Sequence, residues 1–269
     1  MNAVLYVIIF IMGTLFGSFY SLAVYRIPKR IDIVKTHSFC PNCNHKLGFF
    51  ELIPILSYIF LGGKCKECKQ KIRPRYIILE ILSGIVFVLI AIALKIDIYN
   101  LNIKTVINLA FIILYLVAIF LIAGIDKENR VIEKSILFYA IGISIIYIIY
   151  LCIIDMTSIY RYVMYLSLVM ILLIIDTLNL RNKARNSYTI SLLMLLVIMS
   201  IFTSEWCVLF TVILTLLEIA IKLIIHKVKN GINKTKQERK DISENLRIGF
   251  YLCVSNILVF ITILFFMNR

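Results

Sequence analysis

The sequence predicts an all-α integral membrane protein: a bundle of about eight transmembrane helices with a small polar domain between the first two. Three observations predict it. The chain is 61% hydrophobic and only 16% charged, where soluble domains run at roughly 45–50% apolar. Apolar runs of about 20 residues, the length that crosses a bilayer, follow one another almost end to end. So much Leu, Ile, Val and Phe exceeds what one soluble core of 269 residues could bury, which excludes a soluble fold. Finally, the bases behind the net charge of +14 sit in the gaps between apolar runs. They therefore serve as orientation signals, and no nucleic-acid partner is expected.

Taken in order, helices are expected at about 3–24, 76–94, 105–125, 135–154, 161–179, 188–203, 207–226 and 248–267. The first run, Val4 to Val24, has no Lys or Arg ahead of it and no small-residue cleavage box after it, so it is a retained helix and not a signal peptide. Between Arg26 and Arg75 lie eleven Lys or Arg against three acids, Asp32, Glu51 and Glu67, which places this gap in the cytoplasm. Alternate gaps agree: Lys127, Arg130 and Lys134, then Arg181, Lys183 and Arg185, then the basic stretch from Lys227 to Arg247. Gaps around Asp97, Asp155 and Glu205 are poor in bases, so both termini are expected outside. This gives a first helix over 1–25, a cytoplasmic domain over 26–75 and a bundle of about seven helices over 76–269. No internal repeat is apparent, and Lys234 to Asp241 has the composition of a solvated linker.

Within the polar domain, Cys40-Pro-Asn-Cys43 is followed after 21 residues by Cys65-Lys-Glu-Cys68. Two C-x-x-C knuckles at this separation supply the four thiolates of a closed, structural, tetrahedral Zn²⁺ site. The alternatives are two disulfides or idle thiols. A cytoplasmic location disfavours disulfides, and neighbouring lysines favour thiolate. His37 and His45 flank the first knuckle as competing ligands. Cys152, Cys207 and Cys253 lie in apolar helices as core residues, and His226 at a span's end is an interface residue.

Ionised groups at membrane depth are costly and call for a reason. Asp126 ends the third helix, and Asp176 lies about four residues before the end of the fifth, at a comparable level. Two carboxyls at one depth beside a water-accessible cleft can share a proton, one held neutral while the other activates water, which is aspartic peptidase chemistry. Each also has a plain structural explanation: a helix cap or snorkelling for Asp126, a hydrogen bond to a neighbouring helix for Asp176. Glu80 can pair with a base at the interface, and Glu218 with Lys222 one turn later.

Taken together, these motifs resemble the type IV prepilin peptidases, intramembrane aspartic leader peptidases of pilus, type II secretion and competence systems. Phe16-Gly17-Ser18-Phe19 and Tyr25-Arg26-Ile27-Pro28 are similar to the family's opening signature. The similarity continues through Ile53-Pro54-Ile55-Leu56-Ser57-Tyr58, the second knuckle, and Arg73-Pro74-Arg75-Tyr76 to Glu80. Arg247-Ile248-Gly249-Phe250 resembles a degraded form of the Pro-Phe-Gly-Pro segment that opens the last helix.

The resemblance implies a bacterial cytoplasmic (inner) membrane protein with prepilin or pseudopilin substrates. It also implies two catalytic aspartates at cytoplasmic helix boundaries and N-methylation of the new terminus from S-adenosylmethionine. Asp126 fits the first aspartate. The Gly-x-Gly-Asp motif of the second is absent, and Thr189 stands where its aspartate would be. A threonine hydroxyl cannot share a proton as a carboxyl does. Two explanations stand: Asp176 supplies the second acid, or the chain is an inactive paralogue that still binds prepilin from the membrane. The first is carried as the expectation. A transporter is disfavoured because no inverted repeat with broken helices is visible.

Overall fold

The structure, a computed structural model, describes residues 2–97, 99, 102–154, 159–181, 187–229 and 246–267. The expected linker residues Lys234 to Asp241, together with Asp155, Lys183 and Arg185, lie outside them. The long helices are α1 (Asn2–Arg26), α3 (Arg75–Ala93), α4 (Ile103–Asn129), α5 (Lys134–Ile154), α6 (Ile159–Arg181), α7 (Ser187–Phe202), α8 (Glu205–Lys229) and α9 (Ile248–Met267). A 3₁₀ turn, Phe49–Glu51, and a short helix α2, Leu56–Phe60, lie between α1 and α3. This is the all-α, multi-pass membrane architecture expected, with each helix within a few residues of its predicted span. Seven of the helices are long and apolar enough to cross a membrane, and α7 is a shorter apolar one.

The chain forms two compact units. The first comprises residues 1–113 and 264–269, and the second residues 114–263. In the first, α1 and α3 approach closely through small residues. A Cβ on Gly13 would stand 2.7 Å from the Gly84 Cα, and one on Gly17 2.6 Å from the Glu80 Cα. Ser83 donates its hydroxyl to the Gly13 carbonyl at 2.6 Å. Small residues four apart let backbones meet where lipid offers no hydrophobic drive between helices.

In the second unit, the stretch of α4 from Tyr115 to Asp126 is buried almost all round, as befits a helix enclosed by neighbours. Tyr115 stacks on Phe202 at 4.7 Å, and Phe202 stacks on Tyr147 at 5.0 Å. The Tyr115 hydroxyl donates to Asn256 Oδ1 at 2.6 Å, and the Asn256 amide donates to Thr211 Oγ1 at 3.3 Å, tying α4, α8 and α9 together. Cys207 and Cys253 are buried here, in line with core roles.

Candidate functional site

Each cysteine pair sits on the same small hairpin. Cys40 N–H donates to the His45 carbonyl and Asn44 N–H returns to the Cys40 carbonyl, both at 2.9 Å. In the second knuckle Cys65 N–H donates to the Gln70 carbonyl at 2.9 Å and Lys69 N–H to the Cys65 carbonyl at 3.1 Å. Isolated antiparallel bridges, Phe39 with Lys46 and Lys64 with Lys71, close both loops. Asn44 and Lys69 hold φ of 57° and 56°, the left-handed turn each knuckle needs. These are the two knuckles that the C-x-x-C pairs predict. The same seven-residue turn occurs twice, over residues 40–46 and 65–71, with the shared pattern C-x-x-C-x-x-Lys.

The two hairpins face each other. Cys40 and Cys68 Sγ are 3.9 Å apart, as are Cys43 and Cys65 Sγ. All four sulfurs lie within 4.8 Å of one another, an arrangement that could hold a metal ion. A tetrahedral thiolate site with bonds of about 2.3 Å has sulfur–sulfur edges of about 3.8 Å, so the geometry fits. All four are free thiols, not disulfides. The Gln70 N–H and the Asn42 amide pull the Cys68 thiol down to about 6. Cys43 receives the His45 N–H, but desolvation and the three adjacent sulfurs push it up to about 11. Once deprotonated, four sulfurs this close would suit a single cation. His45 is occupied elsewhere, its ring 3.2 Å from Glu51 Oε2. Glu51 also accepts the Gly48 N–H at 2.8 Å, which holds its carboxyl below the usual range.

Arg26, counted from the sequence as an orientation charge and as part of the Tyr25-Arg26-Ile27-Pro28 signature, is 3% exposed and organises the approach to the first knuckle. Its guanidinium donates to the carbonyls of Asp32, Ile33, Thr36 and His37 at 2.8–3.3 Å. The base partner expected for Glu80 is replaced by backbone: Glu80 Oε2 accepts the Ile55 N–H at 2.7 Å. Nor does Glu218 pair with Lys222. Glu218 Oε2 is buried without a hydrogen-bond partner, and the Lys222 ammonium lies 5.1 Å over the Tyr251 ring.

Asp126 is fully buried. α4 runs one turn past it, so it neither ends its own helix nor snorkels; it caps another. Its Oδ1 accepts the Tyr188 hydroxyl at 2.9 Å and its Oδ2 the Phe250 N–H at 2.8 Å. The Gly249 N–H donates to Tyr188 Oη at 3.1 Å. The open first turn of α9 thus faces a carboxylate, which satisfies its spare N–H groups and meets the positive end of its dipole. Gly249 is needed for this approach: a Cβ there would stand 3.2 Å from the Asp126 carboxyl.

Asp176 on α6 is 6% exposed and forms an ion pair with Lys134, the first residue of α5. The pair borders a small cleft with Leu137, Phe138, Leu173, Ser191 and Met194. Tyr188 and Ser191 lie one turn apart on α7, so the opening turn of that helix borders both acids. Thr189 is exposed on the same turn. Lys134 and Tyr188 were missed as site residues. Their signals, a base opening a helix and a tyrosine beside the expected motif position, are weak without packing.

Residues 11–94 match the family described as the Bacterial Peptidase A24 N-terminal domain. Similar proteins are named prepilin leader peptidase/N-methyltransferase. The one from Bacillus subtilis is 44% identical over 80 residues, 30% of this chain and 32% of the relative. The one from Vibrio cholerae is 38% identical over 85 residues, 28% of this chain and 34% of the relative. The one from Myxococcus xanthus is 38% identical over 81 residues, 30% of this chain and 24% of the relative. The chain thus spans about a quarter to a third of these relatives' length. No solved structure matches it. The similarity to type IV prepilin peptidases is borne out over α1, the cysteine hairpins and α3; Asp126 and Asp176 lie beyond the matched residues.

Proposed function

We propose that this chain is a prepilin-processing protein of the bacterial inner membrane, an intramembrane aspartic endopeptidase that removes the basic leader at the cytoplasmic boundary. The observation that carries the chemistry is the opening turn of α7, with Tyr188 on Asp126 and Ser191 lining the cleft of Asp176. Two carboxyls bordering one helical turn can divide the work. One, ionised, takes a proton from water as the water oxygen bonds to the scissile carbonyl carbon. The other, protonated, gives its proton to the amide nitrogen as the C–N bond breaks. Both acids are engaged at rest, so the substrate must displace Tyr188 or the α9 N–H from Asp126, and Lys134 from Asp176. The cysteine hairpins would hold zinc on the cytoplasmic side, where it would fix a segment too small to keep a core of its own.

A specific observation favours a second function: prepilin binding without cleavage. Both Asp126 oxygens are already bound, and Thr189 holds the position of the family's second aspartate. One experiment separates the two. The purified protein in detergent is incubated with a prepilin carrying a basic leader, and cleavage and binding are read together. The peptidase predicts cleavage that Asp126→Asn and Asp176→Asn each abolish with binding retained; binding without cleavage by the unaltered protein supports the second. Labelled S-adenosylmethionine in the same tube reads methyl transfer, the other activity in the relatives' names.

A further inference from the structure

Between the two cysteine hairpins runs Phe49-Phe50-Glu51-Leu52-Ile53-Pro54-Ile55-Leu56-Ser57-Tyr58-Ile59-Phe60, an apolar stretch inside a domain otherwise crowded with lysine. Six of its large side chains face outward, while Ile53, Ile55 and Tyr58 are half-buried. Phe49, Phe50 and Phe60 are 78%, 80% and 83% exposed, and Leu52, Leu56 and Ile59 are exposed beside them. In water such a patch would mark a binding surface or an aggregation hazard.

The Ile55–Glu80 hydrogen bond fixes its depth. α3 has 19 residues, about 29 Å at 1.5 Å per residue, which is only as long as the hydrocarbon core of a bilayer is thick, about 30 Å. If all of α3 is used to cross, Arg75 falls at the boundary and the Glu80 Cα, five residues on, about 7.5 Å inside it. The Ile55 N–H is 2.7 Å from Glu80 Oε2, so the middle of the segment lies within one side chain's reach of that level, on the boundary side, since helical side chains lean toward the N-terminus. Irregular backbone persists at such depth only where its polar groups find partners. Ile55, with φ of 62°, finds Glu80, which accounts for a carboxylate one turn inside the membrane.

We propose that residues 49–60 form a re-entrant wedge in the inner leaflet of the bilayer, laying the cysteine domain flat on the membrane. The occupant of the exposed apolar face is lipid. On the two helices that flank the domain in sequence, α1 and α3, Phe19 and Ile78 are exposed as well. The knuckles beside it carry exposed Lys46, Lys64, Lys66, Lys69 and Lys71, placed to meet anionic head groups. An apolar aromatic face rimmed by lysine is the composition of segments that lie in the interface.

The test uses the full chain in nanodiscs of phosphatidylcholine and phosphatidylglycerol. Trp206 is the only tryptophan, so in a Trp206→Phe background Phe50→Trp, Phe60→Trp and, as an aqueous control, Val34→Trp each report one position. Lipids brominated near the carbonyl should quench tryptophan at 50 and 60, with blue-shifted emission and protection from iodide, while at 34 iodide quenches and bromolipid does not. Adding Glu80→Leu should shift the wedge reporters toward iodide, whereas Glu80→Gln, which keeps an acceptor for Ile55, should not. Iodide quenching at 50 and 60 equal to that at 34 overturns the proposal. So does shielding from both quenchers, which would mean that protein covers the face.

Discussion

The Tyr188 hydroxyl donates to Asp126 at 2.9 Å and accepts the Gly249 N–H at 3.1 Å, so one side chain on α7 links the carboxylate of α4 to the first turn of α9. Removing that oxygen strips partners from two buried groups at once. Tyr188→Phe should cost about 1–3 kcal/mol, the penalty for leaving buried polar groups unpaired. Thermal unfolding in detergent reads it, and an unchanged midpoint would contradict the network.

Gly249→Ala tests the same contact from the backbone side. The new methyl would stand 3.2 Å from the Asp126 carboxyl in a site with no slack, so overpacking should cost about 1–3 kcal/mol. Any prepilin cleavage should fall with it, because the carboxyl must shift. By contrast Gly142→Ala, which would meet nothing within 4 Å, should be neutral or slightly stabilising.

The Lys134–Asp176 pair invites a double-mutant cycle. Lys134→Met removes the ammonium facing a carboxylate in a mostly apolar cleft and should destabilise by about 1–3 kcal/mol, less than for a fully buried pair because the lysine reaches solvent. Adding Asp176→Asn should recover much of the loss. Additive costs would show that the two side chains are not coupled.

Metal content gives a prediction independent of catalysis. The purified protein should carry one zinc per chain, and any single Cys→Ser change among Cys40, Cys43, Cys65 and Cys68 should reduce it. Protons compete with the ion for thiolates, so retention should be full near neutral pH and fall as pH is lowered, never the reverse. Elemental analysis across a pH series checks both amount and direction.

Arg26→Lys keeps the charge and should still fail. Four carbonyls converge on a planar fork, and an ammonium has only three donors and a different shape. The loop from Asp32 to His37 should become sensitive to protease while membrane insertion is unchanged, since the orientation charge is preserved.

The spans were legible because membrane crossing depends on the length of an apolar run, a property written directly in the order of residues. The cysteine hairpins were legible for a similar reason, as ligand spacing is local. What escaped depends on pairs remote in the chain. Gly13 and Gly17 could be seen as small residues four apart, but nothing said that Ser83 and Gly84 would meet them. Arg26 stands out as a charge and as a signature position, but neither says which carbonyls it meets, and Glu218 suits Lys222 by helical spacing, while packing turns the lysine to Tyr251. For the acids, depth could be estimated from helix ends, but the partners Tyr188, Gly249 and Lys134 arise only when five helices come together.

The bond from Phe250 to Asp126 joins residues 124 positions apart. During synthesis α4 enters the bilayer long before α9 leaves the ribosome, and until then its carboxylate lacks the donor that the last helix supplies. Asp126 therefore has both of its donors only once α9 is in place. A chain halted after α8 would keep the Tyr188 hydroxyl on this carboxylate but leave its other oxygen, Oδ2, without the Phe250 N–H.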